Sequence, residues 1–280
     1  MRVKIFSCHY KTPAKPVNNE LFADILSGAK SDPDGHFIGD LDGENISEQN
    51  VFSEIRHHYY VWKNLLDDYE YIGFDHYRRR FFITPMPFEK LNKISPHFAG
   101  QRDAFDADQK LHEIEQSRED FLEHLNIRDS FSVSESQNFK NWLSQYDVIV
   151  PRMWHLHDRP DLESEWKNSG LPPQMWELFM EAMRNHKQFL PLPHYPVRTS
   201  NHNSIFIMKT ELFDEYMSGL FGTIKDLEAL MEGKIHHFPR MWGYVAEKAL
   251  NYFILAQRKK NPFFNVAQLP LIVRTIHDDL

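Results

Sequence analysis

The sequence predicts an α/β fold: a mostly parallel sheet flanked by helices, with a helical carboxyl-terminal portion. Three observations carry that expectation. Short apolar runs at residues 3–8, 71–74, 147–150 and 204–208 have the length of buried strands. An amphipathic helical pattern separates the first two, and a strand–loop–helix–strand order favours a parallel, right-handed crossover. The runs end at, or lie beside, polar and charged residues, and open α/β sheets hold ligands in the crevice outside the carboxyl ends of their strands.

Composition narrows the function. A chain of 280 residues can bury a sizeable core, and its 41% hydrophobic and 14% aromatic content excludes a disordered protein. The formal net charge of −8 argues against a general nucleic-acid binder, so local arginine clusters point to a small anionic ligand. Cys8 is the single cysteine, which rules out an intramolecular disulfide and a cysteine-based zinc site and suits a reducing compartment. Residues 1–8 read as a first strand rather than a signal peptide, and no run approaches the about 18 apolar residues of a transmembrane helix. The expected location is the cytoplasm, where the sequon Asn45-Ile46-Ser47 has no meaning for glycosylation.

Along the chain, the β-prone run at 3–8 is followed by His9, Tyr10 and Lys11, and Pro13 and Pro16 forbid a helix there. Residues 27–44 carry Gly28, Gly35, Gly39 and Gly43 among aspartates, a long loop of the kind that is often functional. Asn50 is the expected cap of a helix running to Asp67, Glu54 suits its positive end, and Phe52, Ile55, Tyr59, Trp62 and Leu66 form its apolar stripe. His57 and His58 fall off that stripe and are expected in solvent. The stretch at 71–82, Tyr-Ile-Gly-Phe-Asp-His-Tyr-Arg-Arg-Arg-Phe-Phe, is an apolar strand that stops abruptly at Asp75.

An acidic helix is expected over 103–125, and Ser134 with Gln137 forms a capping box for the next one. The stretch from Asp147 reads as a buried strand ending at Pro151, with Arg152, His155 and His157 just beyond it. Pro172 and Pro173 fit the first turn of a helix whose Trp176, Phe179, Met180 and Met183 belong to the core. Asn201, His202 and Asn203 precede the strand at 204–208. Thr210 is the expected cap of a long helix loosened by Gly219 and Gly222, Pro239 opens a last helix to Lys260, and Pro270 makes 266–273 an edge strand.

No Walker loop, dinucleotide fingerprint, His-Glu-x-x-His or Gly-x-Ser-x-Gly elbow is present. What remains is the set of polar ends at 9–11, 75–80, 152–157 and 201–203, which together suggest one crevice along a sheet edge. An acid, an imidazole, a phenol and three guanidinium groups at 75–80 suit an anionic, hydroxyl-rich ligand such as a nucleotide sugar; a solvated basic turn is the plain alternative. Asp75-His76-Tyr77 could be a variant of the Asp-x-Asp signature by which many nucleotide-sugar transferases hold a divalent ion, Mn2+ or Mg2+, on the donor diphosphate, with Asp75 as the metal ligand. Equally, Arg78 and Arg79 could neutralise the diphosphate with no metal. Glu247 lies in an otherwise apolar stretch, either as a base facing the site or, with Lys248, as an ordinary surface charge.

Several stretches together resemble a family of bacterial capsular-polysaccharide and O-antigen biosynthesis proteins, known as a domain of unknown function and including galactosyl- and galactofuranosyltransferases. The matching pieces are Phe6-Ser7-Cys8-His9-Tyr10-Lys11, Asp42-Gly43-Glu44-Asn45-Ile46-Ser47-Glu48-Gln49-Asn50, Tyr59-Tyr60-Val61-Trp62-Lys63-Asn64 and Tyr71-Ile72-Gly73-Phe74-Asp75-His76-Tyr77-Arg78-Arg79. Further matches are Tyr146-Asp147-Val148-Ile149-Val150-Pro151, Asn203-Ser204-Ile205-Phe206-Ile207-Met208-Lys209 and Gly243-Tyr244-Val245-Ala246-Glu247-Lys248. His-Tyr-Arg-Arg after a strand, with Asn-Ile-Ser upstream, is the specific part.

The resemblance implies a GT-A-like (Rossmann-like) glycosyltransferase in one domain over 1–280, with a nucleotide-sugar-binding half at 1–152 and an acceptor-side half at 153–280. The expected donor is a UDP-sugar and the acceptor a glycan, with galactose or galactofuranose the expected sugars and contact with the membrane only through a lipid-linked acceptor. His9, Lys11, Asn45, Asn50, Asp75 and Tyr77 are the expected donor-binding residues. His76, Arg78 and Arg79 would hold the diphosphate, His202 and Asn203 would lie on the acceptor side, and Glu247 would be the base. A non-catalytic nucleotide-sugar or carbohydrate binder on the same scaffold is the alternative.

Overall fold

The computed structural model describes residues 1–13, 15–83, 113–116, 118–151, 154–155, 161–168, 170–197, 199–200, 203–232 and 236–274. Its centre is a mixed, mostly parallel sheet flanked by helices on both faces, as the sequence predicts. The first strands are β1 (Val3–His9), β2 (Phe22–Leu26), β3 (Ile38–Gly39) and β4 (Tyr71–His76), with helix α1 (Ile55–Asn64) crossing over before β4. β1 lies between β2 and β4 and is parallel to both. β5 (Arg79–Phe81) returns from β4 in a tight antiparallel turn.

After β6 (Glu113–Gln116) come α2 (Arg118–Asp129), α3 (Val133–Leu143), β7 (Val148–Pro151) and a short strand β8 (Trp154–His155). Helices α4 (Leu162–Asn168) and α5 (Met175–Arg184), strand β9 (Thr199–Ser200) and β10 (Phe206–Lys209) follow. The long helices α6 (Thr210–Met231) and α7 (Met241–Lys260), then β11 (Val266–Leu269) and β12 (Leu271–Arg274), end the described chain. The principal strand order is β11-β7-β10-β4-β1-β2-β3, with β12 joining β5 and β6 at the side. β10 is antiparallel to both neighbours and so enters between β4 and β7 from the far end.

Period-two alternation sorts the sheet's side chains between two cores. Phe6, Phe74, Phe206 and Met208 pack with α1 and the helices α4 to α7 on one face, while Ile5, Tyr71, Ile149 and Ile207 pack with α2 and α3 on the other. Gly73 sits where a Cβ would stand 2.7 Å from Ile207 Cγ1, so β4 needs a glycine at its centre.

Several local expectations are corrected. The first helix is shorter: a 3-10 turn at Asn50–Phe52 precedes α1, Glu54 occupies the N-cap position, and Asn50 accepts from Arg56 Nη1 (3.1 Å) instead of capping. His57 and His58 are buried, 0% and 1% exposed, because α1 is covered on that side by β1, β4 and β10; His58 lies on the Phe74 ring with centroids 3.9 Å apart. β4 does not stop at Asp75 but continues through His76. The capping box is formed by Ser132 and Glu135, two residues earlier than Ser134 and Gln137. Thr210 is the first residue of α6 and its hydroxyl donates to Tyr69 O at 2.7 Å. Gly219 and Gly222 admit Gln188, Phe189 and His186 against the helix rather than loosening it. Residues 266–273 form two strands broken at Pro270, and only β11 lies at an edge, since β12 pairs with β5 and β6. Of the helix expected over 103–125, the residues up to 112 lie outside the described set; 113–116 are strand β6 and the helix starts at Arg118. No helix among the described residues is long and apolar enough to cross a membrane.

Candidate functional site

β1 and β4 run side by side in parallel and reach the same edge, with Cys8 opposite His76. The residues immediately beyond them are therefore brought together. Tyr77 N–H donates to Cys8 O (3.1 Å), which tucks the β4 exit against β1. The Tyr10 and Tyr77 rings meet edge to face at 6.3 Å, His76 lies 4.2 Å from Tyr77, and His9 lies 6.0 Å from it. Four rings from two strand ends thus line one patch of the carboxyl edge.

The β4–β5 turn carries the arginines. Arg78 N–H donates to His76 Nδ1 at 3.3 Å, and the Arg78 guanidinium packs over the Tyr77 ring at 5.1 Å. Arg78 Nε is buried and has no hydrogen-bond partner among the described residues. Burial, with Arg78 and Arg79 close by, holds the His76 imidazole well below its ordinary pKa, so the ring is neutral beside two cations. Arg80 does not join this cluster. Because alternate residues of β5 face opposite ways, Arg80 turns inward, 1% exposed, where Nη2 lies 3.0 Å from His9 Nε2 and 3.3 Å from Asp24 Oδ1. His9 Nε2 is 3.1 Å from the same carboxylate oxygen. Burial opposes the charge on Asp24, but Arg80 and His9 outweigh it and hold its carboxyl below the usual range.

Asp75 also points inward. Ser7 Oγ donates to Oδ1 (2.6 Å), Arg128 Nη2 donates to Oδ2 (2.8 Å), and Phe81 N–H donates to Oδ2 at 3.3 Å. Both oxygens are thus engaged in a fully buried side chain, and the residue does not fit a metal ligand. A group with ligand-like spacing among the described residues is Asp32, Asp34 and His36, in the loop between β2 and β3 and away from these strand ends in sequence.

A second wall comes from the amino end of α1. The Tyr10 hydroxyl lies 3.2 Å from Ser53 Oγ and donates to Glu54 Oε2 at 3.4 Å, while Ser53 Oγ donates to the same Glu54 oxygen. Arg240, immediately before α7, donates through Nε to Ser53 Oγ at 3.3 Å. Ser53 and Arg240 both adopt positive φ, 50° and 66°, which is costly for residues with a Cβ. Gly243 makes room for this meeting, since a Cβ there would stand 3.0 Å from Ser53 Cβ. Arg56 lies 5.4 Å over the Tyr10 ring and donates through Nε to Ser53 O (3.0 Å) and through Nη1 to Ser47 O. Behind them, His57 has its ring nitrogens 3.1 Å from Glu54 O and from His9 O, and burial brings its pKa down to about 4. A neutral ring donates to only one of those carbonyls.

Of the residues expected at the site, His9, His76, Tyr77 and Arg78 converge, and Arg79 is the first residue of β5 beside them. Asn50 reaches the Ser53 wall through Arg56. Lys11 is exposed beyond Tyr10, and Asn45 makes a local turn, donating to Gly43 O (2.8 Å) and accepting from Ser47 N–H (3.1 Å). Asn203, at φ 71°, precedes β10, whose Phe206 lies opposite Phe74; the antiparallel register therefore places it beyond the same edge as His76. His202 lies outside the described residues. Glu247 is one turn past Gly243 in α7, 3.8 Å from Lys248 Nζ, and its charge adds to the burial that pushes Tyr216 up. Lys248 is no surface charge: it is 2% exposed and donates to Glu165 at 2.8 Å. Asp24, Ser53, Glu54, Arg56 and Arg240 were not foreseen as members of this site. One signal was available, since an aspartate inside the apolar run at 21–26 calls for a buried cationic partner.

The comparisons with known proteins agree with this architecture. A search of curated proteins finds no match. Among solved structures, the apo structure of the bifunctional glycosyltransferase WbbM is similar, with a TM-score of 0.74 and 19% identity over 98% of this chain. The chain spans about half the length of that protein, 46%, and the likeness gives the fold, a GT-A-like α/β arrangement. A family model described as a domain of unknown function, DUF4422, matches residues 4–259. With the β1 edge, the His-Tyr-Arg-Arg turn and the start of α7 all inside that span, the chain belongs to the DUF4422 family.

Proposed function

We propose that this chain is a glycosyltransferase that moves a sugar from a nucleotide-diphospho-sugar, a UDP-sugar in the first instance, to a glycan acceptor in bacterial surface polysaccharide synthesis. The observation that carries the reading is the convergence of His9, Tyr10, His76, Tyr77 and Arg78 at the carboxyl edge of two adjacent parallel strands. Rings at that edge suit stacking on a base or sugar, and the buried Arg78 Nε retains a hydrogen to give to an anionic oxygen.

In this reading Arg78 and Arg79 neutralise the charge that develops on the departing nucleoside diphosphate, the dominant catalytic contribution. Neutral His76 donates to a phosphate oxygen through Nε2, since its Nδ1 accepts from Arg78 N–H. His9 is held by Asp24 and Arg80 as part of the floor, while Lys11 and Asn50 stand at the nucleotide end. Asn203 and Glu247 belong to the acceptor side. The neutralisation is assigned to arginines and not to an ion on Asp75, whose oxygens are already engaged.

Calorimetry with UDP-, GDP- and CDP-sugars, followed by transfer and hydrolysis assays with and without Mn2+, tests the proposal. Arg78→Ala is expected to abolish donor turnover while circular dichroism stays unchanged, and unchanged turnover would sink the assignment. Donor binding with neither transfer nor hydrolysis in the wild-type protein would establish the non-catalytic binder instead.

A further inference from the structure

Glu54 and Tyr10 have an arrangement that donor binding leaves unused. Glu54 is 6% exposed, and its Oε2 accepts from both Ser53 and Tyr10. Tyr10 is 37% exposed, and its ring forms part of the patch with His76 and Tyr77. A buried carboxylate is thereby connected, through one phenolic hydroxyl, to a ring of the strand-end patch. The connection is held under strain: Ser53 and Arg240, both in the left-handed region, hydrogen-bond to each other across the starts of α1 and α7, and Gly243 leaves the space they need. Non-glycine residues in that region persist only where surroundings over-determine them, and they cluster at functional sites.

We propose that Tyr10 is the catalytic residue that takes the acceptor's proton and that Glu54 acts through it as the final proton holder. The inference rests on the glycosyltransferase reading above. In the step, the acceptor oxygen bonds to the sugar's anomeric carbon as the bond from that carbon to the diphosphate oxygen breaks, the electron pair leaving with the nucleoside diphosphate. The acceptor's proton passes to Tyr10 Oη while the Tyr10 proton passes to Glu54 Oε2, so the phenol ends neutral and the carboxylate ends protonated. Burial and the Glu54 charge push the Tyr10 hydroxyl far up, which fits a relay that gives a proton as it receives one and does not fit a standing phenolate. Around Glu54 stand Tyr10, just beyond β1, the buried Cys8 thiol of β1, Ser53, and Arg240 from before α7, while Arg56 and His57 of α1 bond to the Ser53 and Glu54 carbonyls. Glu247, by contrast, lies beside Lys248 and Tyr216, and Tyr216 is directed into the core toward Ala246 O.

The experiment compares wild type with Glu54→Gln, Tyr10→Phe and the double variant in donor calorimetry and in transfer kinetics. The expected result is donor affinity kept within about twofold and kcat lowered by about 10²–10⁴-fold in each single variant, with acceptor KM little moved. The double variant should be no worse than the poorer single one, because the two groups act as a unit. Turnover within about threefold of wild type in Tyr10→Phe, or additive losses in the double variant, overturns the relay. Tyr10→Phe keeps the ring and its packing, so it remains informative even where Glu54→Gln fails to fold. Turnover lost in Glu247→Gln but kept in Tyr10→Phe and Glu54→Gln moves the base to α7. A wild-type protein that binds no nucleotide sugar overturns the functional reading itself, an outcome separate from all of these.

Discussion

Arg128 Nη2 donates to Asp75 Oδ2 at 2.8 Å, and both side chains are 0% exposed. A helix on one face of the sheet is thus tied to the strand whose last residues join the ring cluster at the carboxyl edge. Removing one partner leaves an uncompensated buried charge. Arg128→Met is expected to cost about 3–5 kcal/mol in urea unfolding, and Asp75→Asn/Arg128→Met together less than the sum of the single changes. Asp75→Asn should leave the Mn2+ response of turnover unchanged.

Stability should fall in mild acid. Burial lowers the pKa of His57 from 6.5 to about 4, and His58, His76 and His124 are lowered as well, burial being the main cause in each. These rings are neutral when folded but take up protons when unfolded. The contribution of His57 is therefore complete above about 6.5 and is lost as pH falls from there toward 4, with a slope of up to about 1.4 kcal/mol per pH unit between those limits, and the other three rings act in the same direction. Urea midpoints at pH 7.5 and 5.0 should differ, with the lower stability at 5.0; equal midpoints would mean that the rings are charged in the folded protein.

Gly219 and Gly222 offer a contrast within one helix. A Cβ at 219 would stand 2.8 Å from Gln188 Cβ and 3.1 Å from the buried Phe189 ring, neither of which can swing clear. Gly219→Ala should destabilise by about 1–2 kcal/mol even after the helix-propensity gain of about 1 kcal/mol. At 222 the obstacle is the His186 imidazole, 2.4 Å from the added carbon, which can rotate away at the expense of its 3.1 Å contact with Asp226. Gly222→Ala should therefore be the milder change in a thermal melt.

Gly243→Ala tests the strained meeting at the start of α7. The new Cβ would press on Ser53 Cβ at 3.0 Å and shift the hydroxyl that Tyr10, Glu54 and Arg240 share. Turnover is expected to drop by about tenfold, through misplacement of the reacting groups, with a melting temperature within a few degrees of wild type.

The sheet and its polar carboxyl edge were legible because apolar runs ending in polar residues reflect burial directly. β1, β4 and α1 follow from 3–8, 71–74 and the aromatic stripe, and the convergence of His9, His76 and Arg78 follows from their parallel order. What escaped depended on contacts far apart in sequence. β2 was hidden because Asp24 interrupts an apolar run, and only Arg80 and His9, supplied by other strands, make its burial tolerable. The same pairing removed Arg80 from what reads locally as three equivalent arginines. His57 and His58 are off the stripe of an isolated helix, yet α1 is covered on more than one side, so helical periodicity alone understates its buried surface. Ser53 and Arg240, 187 residues apart, meet through backbone conformations that no residue preference announces.

The insertion of β10 between β4 and β7 bears on how the protein can be cut. β7 takes both of its neighbours, β10 and β11, from residues beyond 205, and β4 takes one of its own from the same region. A fragment ending at residue 152 would carry the complete His-Tyr-Arg-Arg turn but leave β4 with a bare edge and β7 with two. Unpaired apolar edges of that kind recruit other chains. Expressed alone, the amino-terminal half would therefore aggregate, and the parts played by residues of the two halves are to be separated by point substitution in the whole chain.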